Sequence, residues 1–265
     1  MMINLYGFFI ALGILTGAFV VEKINKKFLI LNSEFSILDT LPWLLIPGII
    51  GARLYHVFDY WQYYSKNSLE ILFIWHGGLG IFGGILGGIV GLWIFLKINN
   101  KNVKIRDIFL PFLDLGVIGL SIGQVIGRWG NYFNQELYGL PTNLPWAIYI
   151  RPENRLAGFD PPAGGSHFHP LFLYESIGCL IIFFVCLGFL LRSTDPAERG
   201  KSPRKKPGLT FFLYLFLYSF LRFWLEFLRP IGWQWKGFRV TQLVSLGLIF
   251  FSSFAIYKKC VKIRN

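Results

Sequence analysis

Leu79-Gly-Ile-Phe-Gly-Gly-Ile-Leu-Gly-Gly-Ile-Val-Gly-Leu-Trp-Ile-Phe-Leu96 carries no charged side chain and is followed at once by Lys97. Its length approaches the roughly 20 apolar residues that an α-helix needs to cross a hydrocarbon core. Six further runs read the same way: Leu5–Val21, Leu41–Val57, Ile108–Ile126, Pro170–Leu191, Leu209–Leu228 and Val240–Tyr257. Composition agrees. Of 265 residues, 54% are hydrophobic, 18% aromatic and only 15% charged, and mean hydropathy is +0.52. A soluble domain carries about a quarter of its residues as charges, and a disordered chain is poor in aromatic and aliphatic side chains. Both classes are excluded. The expected fold is all-α, a polytopic integral membrane protein of about seven transmembrane helices in a single membrane-embedded domain over residues 1–265. The first run has neither a basic leader nor a small-residue cleavage site, so it reads as a retained span.

The connections assign the sides. The segments after the first, third, fifth and seventh spans hold Lys23, Lys26 and Lys27; Lys97, Lys101, Lys104 and Arg106; Arg192 to Lys206; and Lys258 to Arg264. The opposite connections are poorer in lysine and arginine. The positive-inside rule then puts the N-terminus outside and the C-terminus in the cytoplasm. The formal net charge of +12 is accounted for by topology and by contact with anionic headgroups; no nucleic-acid-binding motif is present. An outside region near residues 127–169 collects many of the polar and turn residues and is long enough to be functional.

Cys179 and Cys186, seven apart, share a helix face as small packing residues, and Cys260 lies in the basic tail. With no paired cysteine or histidine spacing, no metal and no cofactor is expected. In the third span Gly80/Gly84/Gly88 and Gly83/Gly87/Gly91 form two small-residue faces. They suit close helix packing or a lipid-lined cleft.

Charged residues inside spans are costly and mark function or a specific partner. Tyr218, Arg222, Glu226 and Arg229, at spacings of 4, 4 and 3, form one stripe on the sixth span. It reads either as a salt-bridge ladder or as an anion site in which Glu226 orients two guanidinium groups. A second cluster is Gly127-Arg128-Trp-Gly130-Asn131-Tyr-Phe-Asn134-Gln-Glu136-Leu-Tyr-Gly139. Its glycines are expected to break the helix and let backbone approach a ligand. Arg128 offers a planar fork for phosphate, and Glu136 can hold the arginine or move a proton. A third is His169-Pro-Leu-Phe-Leu-Tyr174-Glu175. Glu175 is an intramembrane acid in need of a partner, and an arginine is expected, whereas His169 suits a cap or loop contact.

Together these clusters resemble the prolipoprotein diacylglyceryl transferases of bacteria. The stretch from Arg128 to Gly139 is similar to that family's signature, and Tyr6-Gly7 and Gly51-Ala-Arg53 also correspond. The resemblance implies a multi-pass enzyme of the bacterial cytoplasmic membrane. Its substrates would be phosphatidylglycerol and prolipoprotein signal peptides, set among membrane lipids. It would move a diacylglyceryl group to a cysteine thiol and release glycerol 1-phosphate, the first step of lipoprotein maturation. Arg128, Arg222, Asn131 and Glu136 would be catalytic. Arg128, Tyr6, Asn134, Gly139, Tyr218, Glu226, Arg229 and Glu175 would bind the phospholipid. Phe82 departs from the pattern: it stands where members often carry His or Tyr, and it cannot move a proton. His76, six residues earlier, is the nearest imidazole in sequence.

Overall fold

The computed structural model describes residues 5–28, 31, 35–99, 105–156, 167–192, 207–230 and 232–261. Among these residues eight α-helices follow in order: α1 (Leu5–Phe28), α2 (Leu41–Asp59), α3 (Trp61–Tyr64), α4 (Ile81–Asn99), α5 (Ile105–Phe133), α6 (Leu171–Arg192), α7 (Leu209–Leu225) and α8 (Val240–Val261). All but α3 are long and apolar enough to span a bilayer, α2 and α7 with short 3-10 extensions at Ile37–Thr40 and Glu226–Leu228. The protein is therefore an all-α polytopic membrane protein. Large apolar side chains such as Leu15, Phe184 and Phe250 stand exposed on these helices, as expected where lipid rather than water is the solvent.

Two compact units are present, Met1–Ile30 with Leu113–Asn265 and Leu31–Phe112. In the second unit, α2 and α4 pack through the glycine faces. A Cβ on Gly87 would lie 2.1 Å from the Pro47 carbonyl oxygen, and one on Gly51 would lie 2.3 Å from that of Gly83. Backbone thus touches backbone, so the packing role of the stripe is realised. Gly87→Ala is expected to destabilise the protein by about 1–3 kcal/mol, because the intruding methyl meets backbone that cannot rotate away. Gly188→Ala is the control, since a Cβ there meets nothing within 4 Å; it should be neutral or stabilise by up to ~1 kcal/mol. Thermal unfolding in detergent reads both, and equal shifts would sink the packing argument.

Arg53, 5% exposed on α2, has no carboxylate partner among the described residues and is held by carbonyls instead. Its Nε donates to Ile71 O at 2.9 Å, its Nη1 to Gly77 O at 2.6 Å and Gly78 O at 3.1 Å, and its Nη2 to Glu70 O. This cation organises the connection between α3 and α4. His76 pairs through Nδ1 with Glu70 Oε2 at 3.0 Å in the same connection. Phe82 is 62% exposed and lies beside the Tyr55 ring.

In the first unit, α1 meets the later part of α5 through Gly13/Gly123 and Gly17/Gly119. α7 packs against both α6 and α8. Cys179 and Cys186 are fully buried on α6, as their spacing suggests. Asp114, fully buried on α5, accepts from Gly208 N at 2.6 Å and Phe211 N at 2.8 Å. A carboxylate at these otherwise unpaired amides fixes where α7 starts.

The structure corrects one sequence expectation. α5 runs to Phe133, so Gly127 and Gly130 do not break the helix and the connection begins at Asn134. Both glycines serve α1: a Cβ on Gly130 would lie 3.0 Å from the Tyr6 ring, and one on Gly127 would lie 3.3 Å from Ile10 Cδ1. They admit side chains of α1 against the last turns of α5. Arg128 and Asn131 consequently project from rigid helix, not from a turn.

Candidate functional site

Glu175 lies in the second turn of α6, its side chain 5% exposed, with polar groups from two other helices converging on it. Its Oε1 accepts from Arg128 Nη2 on α5 at 2.7 Å and from Tyr218 Oη on α7 at 2.9 Å. Its Oε2 accepts from Arg222 Nη1 on α7 at 3.0 Å. The arginine partner expected for Glu175 is thus present twice. Glu226, with no exposed surface, sits between Arg222 Nη2 at 3.7 Å and Arg229 Nη1 at 3.5 Å. Tyr218, Arg222, Glu226 and Arg229 share one side, as their spacing requires, although the helix tightens to 3-10 at Glu226.

Asn131 carries the network outward. Its Oδ1 is 3.5 Å from Arg128 Nη1, and its Nδ2 donates to Glu136 Oε1 at 2.8 Å. Glu136 therefore holds Asn131, not an arginine, because Arg128 is already turned to Glu175. The backbone is strained here: Gln135 (φ 51°) and Leu137 (φ 54°) adopt left-handed conformations that cost free energy for side chains with a Cβ. They reverse the chain after α5 and return Glu136 to Asn131, with Glu136 N donating to Asn131 O at 3.0 Å.

Arg128, Asn131, Leu137, Leu171, Phe172, Glu175, Arg222, Leu225 and Arg229 line one narrow cleft. Leu137, Leu171, Phe172 and Leu225 make part of its wall apolar while the guanidinium groups supply charge. Three arginines face two buried carboxylates, a surplus of one positive charge that suits a monoanionic ligand. Each guanidinium has five N–H donors, so donors remain after those given to Glu175, Glu226 and Asn131.

The other sequence candidates lie around this cluster without lining the cleft. Tyr6 packs on Gly130. Asn134 is exposed. Gly139 is buried where a Cβ would lie 2.7 Å from His169 Cβ and 3.0 Å from Leu228 O. That closeness lets Gly139 N donate to His169 O at 2.8 Å and Leu140 N to Leu228 O at 2.9 Å. The connection is thereby stitched to the start of α6 and the end of α7. A small cluster of Tyr138, Ile150 and Phe168 stabilises it, with β1 (Ile148–Tyr149) paired antiparallel to β2 (His167–Phe168).

His169 makes a loop contact. Trp146 Nε1 donates to Tyr174 Oη at 2.8 Å, and Tyr174 Oη lies 3.1 Å from His169 Nδ1. Partial burial pushes the imidazole below its ordinary value of 6.5, so it is neutral at pH 7 and Nδ1 can accept the tyrosine proton.

Sequence reasoning missed Arg239. It stands at the end of a hairpin, β3 (Gln234–Trp235) and β4 (Phe238–Arg239), and its Nη1 donates to Glu226 O and to Arg229 O, the latter at 3.2 Å. It fixes the backbone that carries Glu226 and Arg229. No spacing rule links a hairpin residue to carbonyls across a turn, so the sequence held no signal for it.

A family model described as prolipoprotein diacylglyceryl transferase matches residues 1–258. A protein of Fervidobacterium nodosum is 41% identical over 247 residues, 92% of this chain and 77% of that one. One of Finegoldia magna is 40% identical over 245 residues, 92% of this chain and 86% of its own. One of Trichormus variabilis is 40% identical over 249 residues, covering 92% and 81%. Each is named phosphatidylglycerol–prolipoprotein diacylglyceryl transferase. With the match spanning nearly the whole sequence, the chain belongs to the prolipoprotein diacylglyceryl transferase family.

Proposed function

We propose that this protein transfers the diacylglyceryl group of phosphatidylglycerol to the lipobox cysteine thiol of a prolipoprotein signal peptide, releasing glycerol 1-phosphate. The observation that carries the reading is the pair of guanidinium groups from different helices, Arg128 and Arg222, set against one buried carboxylate in a partly apolar cleft. The phosphodiester of phosphatidylglycerol matches the single surplus positive charge. When sulfur attacks the glyceryl carbon, an S–C bond forms and the C–O bond to phosphate breaks. The leaving phosphate gains charge, and donors already aimed at it stabilise the transition state with little reorganisation. Arg128 and Arg222 take that role, and Asn131, held by Glu136, orients the headgroup. Tyr6, Asn134 and Gly139 shape the approach; Tyr218, Glu175, Glu226 and Arg229 keep the arginines in place. Thiolate is the attacking form, and the proton lost by the thiol passes to an oxygen of the departing phosphate. Purified protein given labelled phosphatidylglycerol and a lipobox peptide should yield a thioether-linked diacylglyceryl peptide. Lipid binding or movement with no such product would refute the transferase reading for this chain.

Arg128→Lys keeps the charge and loses the fork. One ammonium cannot reproduce the planar set of donors facing Glu175, Asn131 and a phosphate together. Turnover per folded molecule is expected to fall by roughly 10²-fold or more; near-normal turnover would mean that charge alone suffices.

The proposed setting is the bacterial cytoplasmic membrane, with the N-terminus and the arginine cleft on the outer side. Cysteines at Asn143 and Ser202 should then react oppositely with an impermeant thiol reagent on intact cells, Asn143→Cys labelled and Ser202→Cys protected. The reverse pattern would invert the topology and put the cleft in the cytoplasmic leaflet.

A further inference from the structure

An apolar groove lies between α4 and the first turns of α5, within the Leu31–Phe112 unit. Ile89, Val90 and Trp93 on α4 and Ile105, Phe109 and Leu110 on α5 line an apolar groove of about 470 Å³, within the size range of small-molecule sites. None of these residues belongs to the arginine cluster. Ile89, Trp93 and Lys97 fall four apart and so occupy one row of α4. From Ile89 to Lys97 the row rises about 12 Å. It ends with the Lys97 ammonium 4.9 Å over the centroid of the Trp93 ring. The row therefore runs from apolar to aromatic to cationic, the same order that a phospholipid shows from acyl chain through interface to phosphate.

We propose that this groove holds an acyl chain of an anionic phospholipid from the leaflet at the Lys97 end, with the lipid phosphate paired to Lys97. The charge at the end of the row selects this occupant. An apolar helix of another protein would fill the groove and leave the lysine unused. A zwitterionic lipid would bring its own cation beside the ammonium. The site is independent of the transfer reaction.

Quenching by lipids brominated on the acyl chain tests the proposal without reference to turnover. The Trp93 signal is the difference between the unmodified protein and Trp93→Phe in nanodiscs of phosphatidylcholine doped with brominated lipid and lacking acceptor peptide. Brominated phosphatidylglycerol should reach half-quenching at an approximately fivefold lower mole fraction than brominated phosphatidylcholine, the preference that one surface lysine contributes. Lys97→Gln should bring the two curves together. Equal quenching by both lipids would make the groove ordinary annular surface and overturn the proposal. So would a preference that survives Lys97→Gln, or no quenching by either lipid, which would mean that another helix covers it. If Trp93→Phe does not fold, native mass spectrometry of the unmodified protein and Lys97→Gln decides the matter: loss of one retained anionic lipid supports the site, and identical lipid counts refute it.

Discussion

Replacing Glu175 with glutamine is expected to lower both stability and turnover. Its two oxygens accept from Arg128, Tyr218 and Arg222, and glutamine has a single acceptor oxygen and no charge. Its amide N–H groups would face an arginine. Removing one partner of a buried ion pair typically costs 3–5 kcal/mol, because the other charge is left uncompensated. The arginine side chains here are 24% and 20% exposed toward the cleft, so the lower end applies, about 3 kcal/mol. At ~2–4 °C per kcal/mol for a chain of this size, the melting temperature in detergent should drop by ~6–12 °C. Turnover per folded molecule should fall as well, since both proposed phosphate ligands lose their common anchor. Glu175→Asp separates geometry from charge: it keeps the anion but shortens the reach to two helices at once, and should lie between glutamine and the native residue in stability. A glutamine variant as stable and active as the native protein would show that the arginines are held by other contacts.

Wherever one helix dictates a relationship, the sequence was readable. The stripe Tyr218, Arg222, Glu226 and Arg229 follows from 3.6 residues per turn, and the structure keeps it even where the helix tightens. Seven spans follow from the lengths of apolar runs, and the pairing of Glu175 with arginine follows from the cost of a bare charge in an apolar span. Relationships between helices were not readable. Arg128 and Glu175 are 47 positions apart, and nothing local says that Glu175, rather than Glu136, receives Arg128. Nor does local sequence say that one carboxylate serves two arginines.

The glycines of the signature misled for a related reason. Glycine is costly in a helix judged in isolation, so Gly127 and Gly130 read as breaks. Tertiary contact with α1 offsets that cost, because a Cβ at Gly130 would collide with Tyr6. Asp114 was equally silent: an aspartate within an apolar run gives no hint that the amides it holds start another helix more than ninety residues later. Arg53, legible in the sequence only through the Gly51-Ala-Arg53 correspondence, turns out to be satisfied by carbonyls of a following connection. Periodicity cannot express that kind of partner.

Arg222→Gln should separate the two readings of the α7 stripe, a structural ladder and an anion site. Arg222 gives one nitrogen to Glu175 at 3.0 Å and faces Glu226 with another at 3.7 Å, so its loss leaves both carboxylates with less positive charge nearby. Glu175 retains Arg128 and Tyr218. Glu226 retains Arg229 at 3.5 Å, while Arg239 holds the Glu226 carbonyl oxygen. The structural loss is therefore shared among remaining partners and should stay below the 3–5 kcal/mol of an isolated buried pair. The catalytic loss has no such backup, because in the proposed reaction the leaving phosphate loses one of its two cations. A lost transition-state contact of ~3–4 kcal/mol corresponds to roughly 10²–10³ in rate. The expected result is a protein that accumulates, melts within several degrees of the native one and binds phosphatidylglycerol, but turns over roughly 10²–10³-fold more slowly. The measurement is turnover per folded molecule, with thermal stability recorded on the same detergent sample. Full specific activity at reduced yield would return Arg222 to the role of a packing residue in a salt-bridge ladder.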